Sequence, residues 1–319
     1  MSTAAEVPET WELSGDDAAE TLRTCGTRVL LRDAAVRLRA ADGFSHARSL
    51  AYATTLVIVQ ALIALVGLAS ALGKGSVSNA IVRTIHSVIP GAGGRLLTDA
   101  VTQAHRAGAS HRYLGLLFGV LGALITGATL MGQLERGLNR IYGIEQDRPT
   151  LRKYSRALVM ALSVGLLTVV AFTMVAFGTA IGGSVRGSTF GDVWRVVRWP
   201  SALVLITASM ALLFRWAPRR HQPRFSWLAF GAGISTLSWL VVTVLLSGFF
   251  SLSKSFGKTY GPLAGVVAVL LWSLLSAVAI LYGAAVAAQL EAIRAGANRP
   301  RDRKKAEEGS PRVHASAAS

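Results

Sequence analysis

Six long apolar stretches dominate this chain and leave few folds open to it. They run Leu50–Leu72, Tyr113–Leu134, Ala157–Gly182, Trp199–Trp216, Trp227–Phe250 and Pro262–Gln289. Each is near or above the ~20 residues an α-helix needs to cross ~30 Å of hydrocarbon. Inside a bilayer every backbone amide must be bonded within its own segment, so such runs are expected to be helical. Amphipathic helices of a water-soluble core would show polar faces at a period near 3.6. These runs carry scattered Ser and Thr instead, and Arg215, at the end of the fourth, is the only formal charge within their limits.

The charge is segregated from these runs. The chain of 319 residues is 52% hydrophobic and only 16% charged, yet its formal net charge is +16. The segment before the first run has six Lys and Arg, the second loop six, the fourth connection four and the tail seven. The first, third and fifth loops have five, three and two. Cytoplasmic segments carry the excess of positive charge, so both termini are expected in the cytoplasm. Trp199, Trp216 and Trp227 stand at run ends, where interfacial anchors belong. The expected fold is all-α: a polytopic six-helix membrane domain over residues 50–289. A cytoplasmic N-terminal segment, 1–49, precedes it, and a basic, disordered tail, 290–319, follows.

Short amphipathic helices are expected at two places. Asp17 to Ala41 gathers Leu22, Cys25, Val29 and Val36 on one side and Arg23, Arg28, Arg32 and Arg39 around the other. In the first outer loop, Ile81, Ile85, Val88 and Ile89 share one face. After Pro90 and the glycines that follow it, Leu97, Ala100, Val101 and Ala104 share another. The acidic opening of the chain, with no apolar core near its start, reads as no secretory signal. The single cysteine, Cys25, excludes an intramolecular disulfide.

Three stretches together resemble the YihY/BrkB family of bacterial inner-membrane proteins. They are His46-Ala-Arg-Ser-Leu-Ala-Tyr52, Leu134-Glu-Arg-Gly-Leu-Asn-Arg-Ile-Tyr-Gly143 and Thr259-Tyr-Gly-Pro-Leu-Ala-Gly265, the last followed by Leu271-Trp272. Their order and spacing fit that family from about residue 25 to 295. Gln60 stands where the family often carries a proline, so a kink there is not implied. The resemblance implies a bacterial cytoplasmic-membrane protein with a role in envelope integrity or export of envelope material. Some members have carried a ribonuclease label.

The residues give no support to catalysis. The six histidines show neither HxH nor HExxH spacing, and nucleophile-elbow and phosphate-loop motifs are missing. No metal, cofactor or enzymatic activity is expected, and none with nucleic acid, since positive loops already account for the basic charge. Candidate contacts for a headgroup or substrate are polar residues at helix ends. Arg136, Asn139 and Arg140 lie three and four apart on one helical face, with Tyr142 beyond, a plausible clamp for phosphate or carboxylate. An anchoring role is the competing reading, with Glu135 paired to Asn139 or Arg136. Arg48 and Tyr52 share a face at the start of the first run. Gln60 is a polar residue at membrane depth, suited to bonding across helices. Lys258 and Tyr260 are the polar reach of the last outer loop. Gly115 and Gly119, Gly178 and Gly182, and Gly283 suit close helix packing.

The runs lack the buried acids that proton-driven pumps use. Any transport is then expected to be passive, subtly coupled or powered by a partner. The family resemblance, with the arginines at the inner leaflet and the amphipathic outer loop, implies movement of a lipid or other amphiphilic envelope component as the favoured function. The alternative is a non-transporting scaffold that binds anionic lipid or a partner protein, and the third is an embedded enzyme. Membrane lipids, chiefly anionic, are the expected partners, with a homo-oligomer compatible.

Overall fold

The computed structural model describes residues 2–71, 93–99, 102, 112–184, 189–252 and 262–302. Over these residues the chain is helical, with no strand longer than an isolated bridge between Ala4 and Arg301. Two short helices, α1 (Gly15–Cys25) and α2 (Thr27–Ala40), precede six long ones. These are α3 (Gly43–Ala71), α4 (Arg112–Ile141), α5 (Thr150–Ser184), α6 (Thr189–Trp216), α7 (Phe225–Leu252) and α8 (Pro262–Arg294). All six long helices are apolar and long enough to cross a membrane. They pack in a ring, each against the next in chain order, and α8 closes it against α3. With six spans the described segments at either end of the chain, up to residue 302, meet at one end of the bundle, the basal end, where Ala5 N–H donates to Pro300 O and Asp302 N–H to Thr3 O.

The N-terminal segment, read as amphipathic over Asp17–Ala41, forms two helices. Gly26 breaks it, at φ +77°, a left-handed conformation that glycine adopts without strain. The Asp17 carboxylate caps α1, accepting from Ser14 N and Ser14 Oγ at 2.8 Å each. That bonding, with Arg294 nearby, holds the Asp17 carboxyl below its usual range. On α2 the buried stripe is Leu30, Ala34, Arg37 and Leu38, which recurs at helical spacing and lies against α8. Val29 and Val36, half of the apolar side read from the sequence, stay exposed.

Five of the six long helices start earlier than their apolar runs do, because polar residues before the runs are helical too, while α8 starts with its run at Pro262 and extends past it to Arg294. The α3 helix begins at Gly43, so His46 to Tyr52 lies on it, and it continues through Gln60. The α6 helix takes in Pro200 in its interior. Between α3 and α4 residues 93–99 are helical, and Leu97 is buried with Leu246, Val269 and Trp272. The other face read for that loop, Ile81 to Ile89, lies outside the described residues. Close helix approach does use glycine. A Cβ on Gly283 of α8 would collide with Ser235 Oγ and Gly231 O of α7, and one on Gly119 of α4 with the Ala64 backbone of α3. The side chains around Gly178 and Gly182 lie outside the described residues.

Packing differs sharply along the bundle axis. At the basal end every residue of α8 from 281 to 292 except Tyr282 is buried. Over 131–142 of α4 only Gln133, Arg136 and Arg140 escape full burial. Toward the distal end no residue of α3 from 54 to 64 is fully buried, and on α7 beyond Thr236 only Leu246 is. Over 116–130 of α4 the only two are glycines, Gly119 and Gly127.

Candidate functional site at the basal end

The basal seal is built from charged side chains held inside it. Residues 2–10 run across the bundle as a strap: Thr3 N bonds Ala40 O at 2.8 Å, Val7 N bonds Tyr142 O at 3.2 Å, and Ala4 and Val7 are buried. Below the strap Arg37 is fully buried. Its Nε donates to Gln289 Oε1 at 2.7 Å and its Nη1 to Ala5 O at 2.8 Å and Ile141 O at 3.2 Å. Burial pushes the Arg37 guanidinium down to about 10, still charged at neutral pH. Beside it Arg220 and Glu291 form an ion pair at 2.6 Å, their side chains 2% and 0% exposed. Thr10 Oγ1 donates to the same Glu291 oxygen at 2.6 Å, and the Arg220 guanidinium stacks 4.7 Å over the Tyr142 ring. Burial, reinforced by the negative charge of Glu291, pushes the Tyr142 phenol up, so it stays neutral.

A second cluster joins α4 to the two basal loops. Asp147 accepts from Asn139 Nδ2 at 3.1 Å, Arg136 Nε at 3.2 Å and Lys153 Nζ at 3.4 Å. Burial alone would raise its carboxyl. The Asn139 bond and the charge of Lys153 outweigh that and hold it below the usual carboxylate range. Asn139 Oδ1 accepts from Arg219 N at 2.8 Å, which ties the loop after α6 to α4. Glu135 pairs neither with Asn139 nor with Arg136. Its partner is Arg148, at 3.0 Å, which also donates to Ala217 O and Pro218 O.

The structure thus gathers Arg136, Asn139, Arg140 and Tyr142 at one end but gives them different surroundings. Asn139 and Tyr142 are fully buried. The Arg140 guanidinium is turned onto Ile144 O at 2.6 Å, and Arg136, 47% exposed, is paired with Asp147. Arg48 and Tyr52 are exposed on α3, apart from this network. Gln60 lies against Gly122 of α4, and Thr55 Oγ1 donates to Ser273 Oγ of α8 at 3.3 Å, both bridging helices at membrane depth. Lys258 and Tyr260 lie outside the described residues.

Sequence reading passed over Arg37, Arg220 and Glu291, and over an open pocket of about 670 Å³ between α5 and the end of α6. Arg148, Arg152 and Arg156 line its α5 side, Trp216 and Arg219 the other, with Val159 and Met160 among its apolar residues. The i, i+4 spacing of Arg148, Arg152 and Arg156 was the available signal.

With three family stretches and six membrane helices in place, comparison with known proteins decides the family: the model for Virulence factor BrkB matches residues 34–309. The chain belongs to the BrkB family. Among its relatives, a Bacillus subtilis protein named ribonuclease-like protein YfkH is 28% identical over 57% of this chain and 68% of its own length. A UPF0761 membrane protein of Rhodospirillum rubrum is 28% identical over 76% of this chain and 54% of its own. One of Methylibium petroleiphilum is 27% identical over 85% of this chain and 64% of its own. The BrkB-family chain therefore spans little more than half to two thirds of those two UPF0761 proteins. No solved structure matches it. Family and helices agree on a multi-pass membrane protein.

Proposed function

We propose that this BrkB-family protein moves a lipid or other amphiphilic envelope component across the bacterial cytoplasmic membrane, with its basal end in the cytoplasm. The observation that carries this is the contrast along the bundle axis. A ring of helices closed over charged side chains at one end, with fewer buried residues on α3, α4 and α7 at the other, fits one state of an alternating-access pair. Charge supports the orientation, since the four basal segments hold most of the Lys and Arg. Most exposed residues of the distal half are apolar, among them Leu117, Phe118, Leu121 and Ile125 of α4 and Val241, Val244 and Leu245 of α7. Such surroundings suit an acyl chain better than a hydrated ion. Nothing in this reading requires catalysis, so the ribonuclease-like name of the Bacillus relative is not carried over.

The rival is a static scaffold for anionic lipid or a partner protein, which the solid packing of the basal end favours. The two separate in vesicles. The purified protein is reconstituted with a fluorescent phospholipid, and dithionite quenches the outer leaflet. A transporter lowers the protected fraction below the half left in protein-free vesicles. A protected half unchanged by the protein would remove the transport reading and leave the scaffold.

A further inference from the structure

The pocket beside α5 gathers several basic side chains at one place. Its cations are close together and no acidic residue lines it. Two acids close by in sequence are already engaged, Glu135 by Arg148, although its charge also reaches Arg156, and Asp147 by Arg136 and Lys153. Arg148 and Arg219 spend their donors on backbone carbonyls. Arg152 and Arg156 do not: neither guanidinium forms a hydrogen bond or ion pair with a described residue, and both side chains are exposed. Four residues apart on one helix, they point the same way, about 6 Å apart along the axis. Two unpaired guanidiniums beside the positive first turn of α5 form a site for a doubly bonded oxyanion.

The pocket is not polar throughout. One turn further along α5, Val159 and Met160 line it, with Trp216 among the residues opposite. Beyond them Leu162 and Leu166 continue an exposed apolar face along the same helix. Charge therefore gives way to hydrocarbon in the direction that leads into the membrane, over ~10 Å of helix. A free anion would use only the first part of this surface. An amphiphile with a phosphate head uses all of it.

We propose that Arg152 and Arg156 bind the phosphate of a phosphate-bearing lipid, with the start of its acyl chain against Val159, Met160 and Trp216. This deepens the transport reading and rests on it for the claim that the bound lipid is cargo. The site is the cytoplasmic-leaflet loading position. Trp216 fits this, as an indole at an interface beside a headgroup.

The test is native mass spectrometry of the full chain released from micelles containing phosphatidic acid, phosphatidylglycerol, diacylglycerol or inorganic phosphate with detergent alone. Wild type is compared with Arg152→Gln/Arg156→Gln and with Arg152→Lys/Arg156→Lys. Thermal unfolding of each verifies the fold. The expected result is retention of both phospholipids but not of diacylglycerol, cut about tenfold or more by the Gln pair and in part restored by the Lys pair. Equal retention by wild type and the Gln pair, both folded, overturns the proposal. So does binding of inorganic phosphate as tight as that of the lipids, which would make this a free-anion site. Should the Gln pair unfold, Val159→Asp takes its place: retention of phospholipid as in wild type would again overturn the proposal. The vesicle assay above is read separately, so lipid binding without flipping would sink the transport reading and leave this site standing.

Discussion

The basal and distal halves of this bundle are made from the same six helices, yet they are held by different forces. At the basal end the helices close around charge. The Arg220–Glu291 pair and the Arg37–Gln289 bond are out of water, and each joins α8 to another part of the chain, the loop after α6 and the α2 helix. Further along, the ties between helices among the described residues are single hydroxyls or an indole. Thr207 meets Thr236 at 3.1 Å at mid-bundle, and toward the distal end Trp272 Nε1 donates to Thr243 at 3.2 Å. Hydrogen bonds of this kind between membrane helices are worth only ~0.6 kcal/mol on average. A buried ion pair that loses one partner leaves an uncompensated charge, at a cost of roughly 3–5 kcal/mol. The contrast teaches that opening the basal end costs more than rearranging the distal one.

The largest effect expected is therefore at Glu291. Glu291→Ala strands Arg220 and should destabilise the folded protein by roughly 3–5 kcal/mol, measured as denaturation in mild detergent. A melting curve like that of wild type would mean the basal end is not sealed by that pair. Next is Gly283→Ala. The added methyl has no room against Ser235 and Gly231, and overpacking of this kind costs about 1–3 kcal/mol. The matching distal change, Val241→Ala on an exposed face of α7, should cost well under about 1 kcal/mol. Equal losses at Gly283 and Val241 would erase the difference between the halves. Arg136→Ala comes below these, because an exposed pair contributes roughly 0–1 kcal/mol.

The smallest expected effect is one of pH. The Asp147 carboxyl lies below its ordinary value in the folded state, so its contribution is fully present above the unfolded value near 4. It is lost as pH falls through the lower folded value. Stability of wild type should drop on acidification below about pH 4 more than that of Asp147→Asn, compared by thermal melts.

The spans were legible because hydropathy alone decides what can lie in a bilayer. The basal site was less so. Glu291 and Gln289 stand at the end of an apolar run and look like an ordinary polar flank; only the strap and the loop after α6, folded over them, make them interior. Arg37 sits among five other arginines before the first run, and nothing in its neighbours marks it as the one that is buried. Asn139 was singled out for a headgroup, but its amide joins Asp147 to the Arg219 backbone, a contact between residues eight and eighty apart. Arg152 and Arg156 were counted as loop charge because their freedom from partners depends on where Glu135 and Asp147 turn. Gly26 divided the N-terminal helix because its backbone took a left-handed turn that periodicity does not register.

Water access along the helices tests the central claim most directly. Single cysteines at Gln60, Thr243 and Ser235, in a chain with Cys25→Ser, are treated in oriented vesicles with a membrane-impermeant maleimide from either side. Cysteines at positions 60 and 243 should label from the distal side, and that at 235, buried in the basal seal beside Gly283, from neither. Protection at 60 and 243 equal to that at 235 would show a bundle closed along its whole length and contradict the account.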